Sequence, residues 1–249
     1  MKRFFLSAFF AFLLLAALPA EGRTFVLAAG VSDYENPEIP DLKRPGKDAM
    51  SFAQVMKTQT PDVTTLTSRH ATRENVLAGL TALCNRAQSG DRIVFYFSGH
   101  GSDGQIYLYD RPIYYSELSQ LFESTDADEI VCFIDACFSG SIANDLKNTD
   151  KDIVFFLSSR PDEMSMEAAD WVGAGYLTQA LMKGIQGKAD SDGNREVTVI
   201  ELFKYIYADV QQRIREFNKL MVASGNEKTS QHPQLIAAKK SFDLVLAKW

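Results

Sequence analysis

Three short runs of consecutive apolar residues constrain this chain more than any other feature: Ile93-Val94-Phe95-Tyr96-Phe97, Ile130-Val131-Cys132-Phe133-Ile134 and Ile153-Val154-Phe155-Phe156-Leu157. A strand with one face in water alternates apolar and polar side chains. One that is apolar at every position is covered on both faces, the pattern of a parallel sheet flanked by helices. Residues 24–31 form an earlier run of this kind, ending at the turn-like Ser32-Asp33-Tyr34. Between them, residues 48–56 place Ala49, Phe52, Ala53 and Met56 at helical spacing, residues 63–66 read as a brief strand, and residues 73–84 set Val76, Leu77, Leu80 and Leu83 on one face. Helical patterns over residues 176–185 and 200–217 follow, and residues 234–246 alternate like late strands. This order predicts a doubly wound α/β fold, a mostly parallel sheet with helices on both sides.

At 249 residues and 46% hydrophobic, the chain is long enough for one good-sized core. Its net charge of −6, with no clustering of Lys and Arg, argues against a nucleic-acid partner, which needs a basic face to neutralise phosphates. The first residues are Met1-Lys2-Arg3, then residues 4–18 without a charge, then Pro19-Ala20-Glu21. A basic start, an apolar run and a small-residue exit read as a secretory signal peptide over residues 1–20, leaving residues 21–249 as a single domain. The run reaches about 22 Å as a helix, short of a bilayer's hydrocarbon core, and no second segment is apolar enough to span one. The expectation is an exported protein, periplasmic or secreted, with no stable membrane insertion once the leader is cut. Three cysteines, Cys84, Cys132 and Cys137, close at most one disulfide, so at least one thiol is left over.

Two loops directly follow buried runs: Ser98-Gly99-His100-Gly101 and Asp135-Ala136-Cys137-Phe138-Ser139-Gly140. In an open α/β sheet, ligands sit beyond the carboxyl ends of the strands. Sheet neighbours would deliver His100 and Cys137 to one edge, where a thiolate attacks a carbonyl and an imidazole manages the proton. The glycines let backbone approach a substrate and turn amides toward a developing oxyanion. Cys132, inside a strand, and Cys84, on a helix face, read as inert core thiols; His70 and His232 read as surface residues without partners.

These residues resemble the caspase-like cysteine peptidases, and among them the metacaspases and bacterial caspase-domain proteins. The resemblance rests on Tyr96-Phe97-Ser98-Gly99-His100-Gly101 and Asp135-Ala136-Cys137-Phe138-Ser139-Gly140. It extends to Gly30-Val31-Ser32-Asp33-Tyr34, Lys47-Asp48-Ala49 and Ser158-Ser159-Arg160-Pro161-Asp162-Glu163. It implies a caspase-like three-layer α-β-α sandwich, His100 as general base and acid, Cys137 as nucleophile, and an oxyanion hole from the amides of Gly101 and Cys137. His100 and Cys137 are 37 positions apart, somewhat under the roughly 50 of caspases.

True caspases carry Gln two places before the nucleophile, whereas Asp135 stands there, as in metacaspases and paracaspases. The resemblance therefore implies a pocket for Arg or Lys lined by Asp48, Ser98 and Asp135, and a peptide or protein substrate with a basic residue at the cleavage site. On this reading Asp135→Ala removes basic specificity and leaves the fold intact. Residues 141–152, with Lys147 and Lys151, lie where related enzymes are cut, so self-cleavage there is a further expectation.

The function expected is a cysteine endopeptidase cleaving after Arg or Lys. The rival is a catalytically silent binding or scaffold module of the same fold. Gly99-His100-Gly101-Ser102-Asp103-Gly104 matches a dinucleotide fingerprint, but Gln105-Ile106-Tyr107-Leu108-Tyr109 reads as strand where that motif needs a helix. Residues 190–201, from Asp190 to Glu201, resemble an EF-hand calcium loop with oxygen donors at its first, third, fifth and last places. Arg195 stands where the loop needs Gly, at a cost on the order of 1 kcal/mol. The expectation is a reaction without a cofactor, with Ca2+ at this loop as the open alternative.

Overall fold

The computed structural model of the chain describes residues 22–145, 151–166 and 175–249. The expected leader, residues 1–20, and Lys147 lie outside them. The elements run β1 (Thr24–Gly30), α1 (Pro45–Met56), β2 (Val63–Thr67), α2 (Arg73–Arg86), β3 (Arg92–Ser98), β4 (Gly101–Ser102), β5 (Gln105–Tyr107), β6 (Pro112–Tyr114), α3 (Tyr115–Glu123) and β7 (Glu129–Asp135). They continue with β8 (Ile153–Leu157), α4 (Tyr176–Lys183), β9 (Glu196–Thr198), α5 (Val199–Ala223), β10 (Gln234–Ile236) and β11 (Val245–Lys248).

The central sheet has the order β10-β8-β7-β3-β1-β2, all parallel except β10, which pairs antiparallel with β8 at one edge. Side chains alternate between two cores. Phe25, Leu27 and Ala29 of β1 face one core with α2 and α3, while Val26 and Ala28 face the other with α1, α4 and α5. This is the three-layer sandwich expected, and the apolar runs are its inner strands. On the α1 side, Tyr96, Phe133 and Phe156 occupy matching register positions of β3, β7 and β8. Phe52 of α1 stacks on Tyr96 with centroids 4.4 Å apart, and Phe133 stacks on Phe156 at 4.9 Å. Each such pair contributes about 0.5–1.5 kcal/mol beyond the area it buries.

Elsewhere the structure adds to the sequence reading. The strand read over residues 105–109 is the middle of a small β4-β5-β6 sheet, and α3 follows it directly. The late strands separate: β10 edges the main sheet, whereas β11 pairs with β9 in a ribbon of its own. Helix α5 is longer than the pattern suggested, begun by a capping box in which Thr198 and Glu201 bond each other's backbone amides. Lys151, two residues before β8, donates to the Thr125 carbonyl at 2.7 Å.

Candidate active site

Strands β3 and β7 are parallel neighbours in which Ser98 stands opposite Asp135. His100 and Cys137 each lie two residues further on. Neighbouring strands are about 4.8 Å apart, so the two loops leave the sheet side by side. The amide of Gly99 ties them by donating to the Asp135 carbonyl at 3.2 Å. Gly101 fits against the nucleophile loop so closely that a Cβ there would meet the Cys137 carbonyl oxygen at 2.6 Å and Ala136 Cβ at 2.9 Å. No residue with a side chain fits without parting the loops, which is the physical reason for glycine after the histidine.

The loop after β1 fixes the histidine. The amide of His100 donates to the Tyr34 hydroxyl at 2.8 Å, its ring centroid lies 5.1 Å from that of Tyr34, and its Nε2 is 2.8 Å from the Pro40 carbonyl oxygen. A carbonyl only accepts, so this bond assigns the proton to Nε2 and leaves Nδ1 as the basic nitrogen of the neutral ring.

Cys137 is half-buried, and none of the three cysteines is in a disulfide. Burial pushes the Cys84 thiol up to about 11 and that of Cys132 well above the ordinary range, so both are inert. The Cys137 sulfur receives the Ser165 amide at 3.3 Å and lies 3.8 Å from the Ser165 carbonyl oxygen. Beyond it, Phe138 adopts a left-handed conformation (φ 58°) and donates its amide to the Glu163 carbonyl at 2.8 Å. The Ser158 hydroxyl accepts the Ala136 amide at 3.0 Å and donates to the Ala136 carbonyl at 2.9 Å, riveting the loop to the end of β8.

The acidic residues converge on the N-terminal end of α4. Asp48 accepts the Gly175 amide at 3.1 Å. Asp135 accepts the Thr178 amide at 3.1 Å, the Thr178 hydroxyl at 2.7 Å and the Ser165 hydroxyl at 2.8 Å. A Cβ on Gly175 would lie 2.2 Å from the Asp135 carboxylate, so glycine is required for the helix to start there. The Tyr96 hydroxyl bonds that of Thr178 at 2.6 Å. Asp48, Ser98 and Asp135 are all buried, at 3%, 4% and 5% exposure. Burial raises the Asp135 pKa above its ordinary value, with hydrogen bonds from Thr178, Ser165 and Ser158 opposing it. Burial first, then the charges of Asp48 and Asp135, hold Tyr96 well above the usual phenol range. The pocket residues read from the sequence are thus brought together as an acid pair around one tyrosine.

Sequence reasoning did not identify Tyr34, Pro40, Ser165, Thr178 or Gln231 as parts of this site. It also misplaced His232: its Nδ1 is 2.6 Å from Glu163 Oε1 and its amide donates to Glu163 Oε2 at 2.9 Å. The partner is far away in sequence, so no local signal marks the pair. Where the dinucleotide fingerprint would need a helix, the chain makes the β4-β5 hairpin. In the calcium-like loop, Asp190, Asp192 and Glu201 place oxygens within 4.8 Å of one another and are the described residues able to hold a metal ion. Arg195 takes a left-handed conformation (φ 66°) there, and the loop's own Gly193 and Arg195 amides already bond Asp190.

Paired loops at adjacent strand ends on a three-layer sandwich define a protein of caspase-like fold. Caspase-1 of Spodoptera frugiperda has a TM-score of 0.65 and 15% identity over 91% of this chain and 90% of its own. A protein from Geobacter sulfurreducens has a TM-score of 0.64 and 16% identity over 89% and 97%. At such identities the likeness is one of fold. The family model described as the caspase domain, peptidase C14, matches residues 23–244, and the chain belongs to that cysteine peptidase family. A comparison with curated proteins finds no match. Among the described residues no helix is long and apolar enough to cross a membrane.

Proposed function

We propose that this protein is an exported cysteine endopeptidase that hydrolyses peptide bonds after Arg or Lys. The observation that carries the reading is the register of β3 on β7, with His100 and Cys137 each two residues past the pair Ser98 and Asp135. Neutral His100, its tautomer set by Pro40, takes the Cys137 proton as the sulfur attacks the substrate carbonyl carbon. The tetrahedral oxygen is held by the amides of Gly101 and Cys137, a type of contact worth about 10²–10³ in rate. The C–N bond breaks as His100 protonates the leaving amine, giving an acyl-enzyme. Water then attacks, losing its proton to His100, and the C–S bond breaks to release the acid and the thiol. No step calls on a metal.

For specificity, Asp48 and Asp135 share one buried locality. A guanidinium or ammonium there forms charge-assisted hydrogen bonds, and an acidic side chain meets repulsion in a desolvated site. Export follows from residues 1–20 acting as a cleaved leader, after which the mature chain loses Lys2 and Arg3 and its charge moves from −6 to −8. Cleavage-site profiling of a peptide library with protein lacking residues 1–20 tests the reading. Cuts confined to bonds after Arg and Lys support it. Cuts after other residues overturn the pocket, and the absence of any cleavage supports the scaffold.

A further inference from the structure

The loop between α5 and β10 reaches the nucleophile without touching it. Gln231 is wholly buried, and both ends of its amide are engaged: Nε2 donates to the Ser158 carbonyl at 3.0 Å, and Oε1 accepts the Met166 amide at 2.9 Å. Nε2 also lies 3.4 Å from the Ser165 hydroxyl. One residue before Met166, the Ser165 amide donates to the Cys137 sulfur. At the other end of the segment, Glu163 is held by the His232 amide and ring and by the Ser230 hydroxyl at 2.9 Å, and its carbonyl receives the Phe138 amide.

We infer that Gln231 is a positioning residue: with Glu163 and His232 it holds residues 163–166 so that the Ser165 amide stabilises the Cys137 thiolate. The 3.3 Å N–H contact favours the ionised sulfur, and the longer 3.8 Å contact to the Ser165 carbonyl favours the thiol less strongly. The inference rests on the reading of Cys137 as nucleophile. Among the described residues, the titratable groups on the elements that carry this contact are His100 beyond β3, Asp135 at the end of β7, Glu163 in the segment, and His232, bonded to Glu163.

The test is the pH dependence of Cys137 alkylation by iodoacetamide in the folded protein, where Cys84 and Cys132 are buried. Gln231→Met keeps the side-chain volume and removes the amide's hydrogen bonds to Ser158, Ser165 and Met166. Its alkylation midpoint is expected to rise by about one pH unit, slowing labelling about tenfold below the midpoint. Glu163→Gln loosens the other end and shifts the midpoint the same way, which keeps the test open if Gln231→Met does not fold. Unchanged midpoints in the folded variants overturn the inference, and so does faster labelling, which would make the segment a shield. A raised midpoint in a protein that cleaves no peptide leaves the positioning standing and removes the proposed function instead.

Discussion

Asp135 accepts both the amide and the hydroxyl of Thr178, at 3.1 and 2.7 Å, so the carboxylate proposed to read substrate also anchors the first turn of α4. This changes what Asp135→Ala reports. The alanine would strand the two buried donors of Thr178, each costing about 1–3 kcal/mol, and take the acceptor from the half-buried Ser165 hydroxyl, so the fold is weakened along with the pocket. Asp135→Asn separates the two roles, because its remaining oxygen serves Thr178 while its amide faces the Ser165 hydroxyl, which can turn to accept. Urea unfolding is expected to place Asp135→Asn near wild type and Asp135→Ala well below it. In the Asn variant kcat/KM for Arg reporters should fall about 10²-fold with the loss of charge-assisted bonding.

The pH dependence of stability follows from the same burial. The folded-state pKa of Asp135 lies above its unfolded value of 3.8, so folding favours the protonated side chain. Its contribution is whole below the unfolded value and is lost as the pH rises through the folded one. Across that window the melting temperature of wild type, measured against Asp135→Asn, should fall with rising pH. A difference that grows instead would mean that the carboxylate is stabilised by the fold.

Gly101→Ala tests the approach of the two loops. A Cβ 2.6 Å from the Cys137 carbonyl must push β4 and the nucleophile loop apart. A misplacement of about 1 Å costs on the order of 10² in rate, so kcat/KM should drop by about that factor while far-ultraviolet circular dichroism stays unchanged. Full activity in this variant would show that the contact has no part in the reaction.

Much of this arrangement was legible in the residues, because β3, β7 and β8 each contain five consecutive apolar residues and the motifs sit at their ends. Of the β4-β5-β6 sheet only β5 was, within the strand read over residues 105–109; β4 and β6 are two and three residues long and give no period to read. Helix α3 carried a signal in Tyr115, Leu118 and Phe122, but its nine residues are too few to stand out beside the neighbouring turns. The partners of the site lay furthest from view. Gln231 and His232 act on residues 65–73 positions earlier in the chain, a distance that only the fold closes.

Tyr34→Phe removes the acceptor of the His100 amide and keeps the ring that packs against the imidazole. The histidine loop loses one hydrogen bond worth about 1 kcal/mol, and kcat/KM should fall by a factor of about five to ten. Steady-state kinetics on an Arg reporter checks this.

The most direct test is hydrolysis of Arg- and Lys-terminated peptide reporters by the mature protein, side by side with Cys137→Ala and His100→Ala. The account predicts turnover by wild type and none above background in either variant, with all three folded by circular dichroism. Undiminished turnover by Cys137→Ala would contradict it, because no other thiol in the chain is placed to attack.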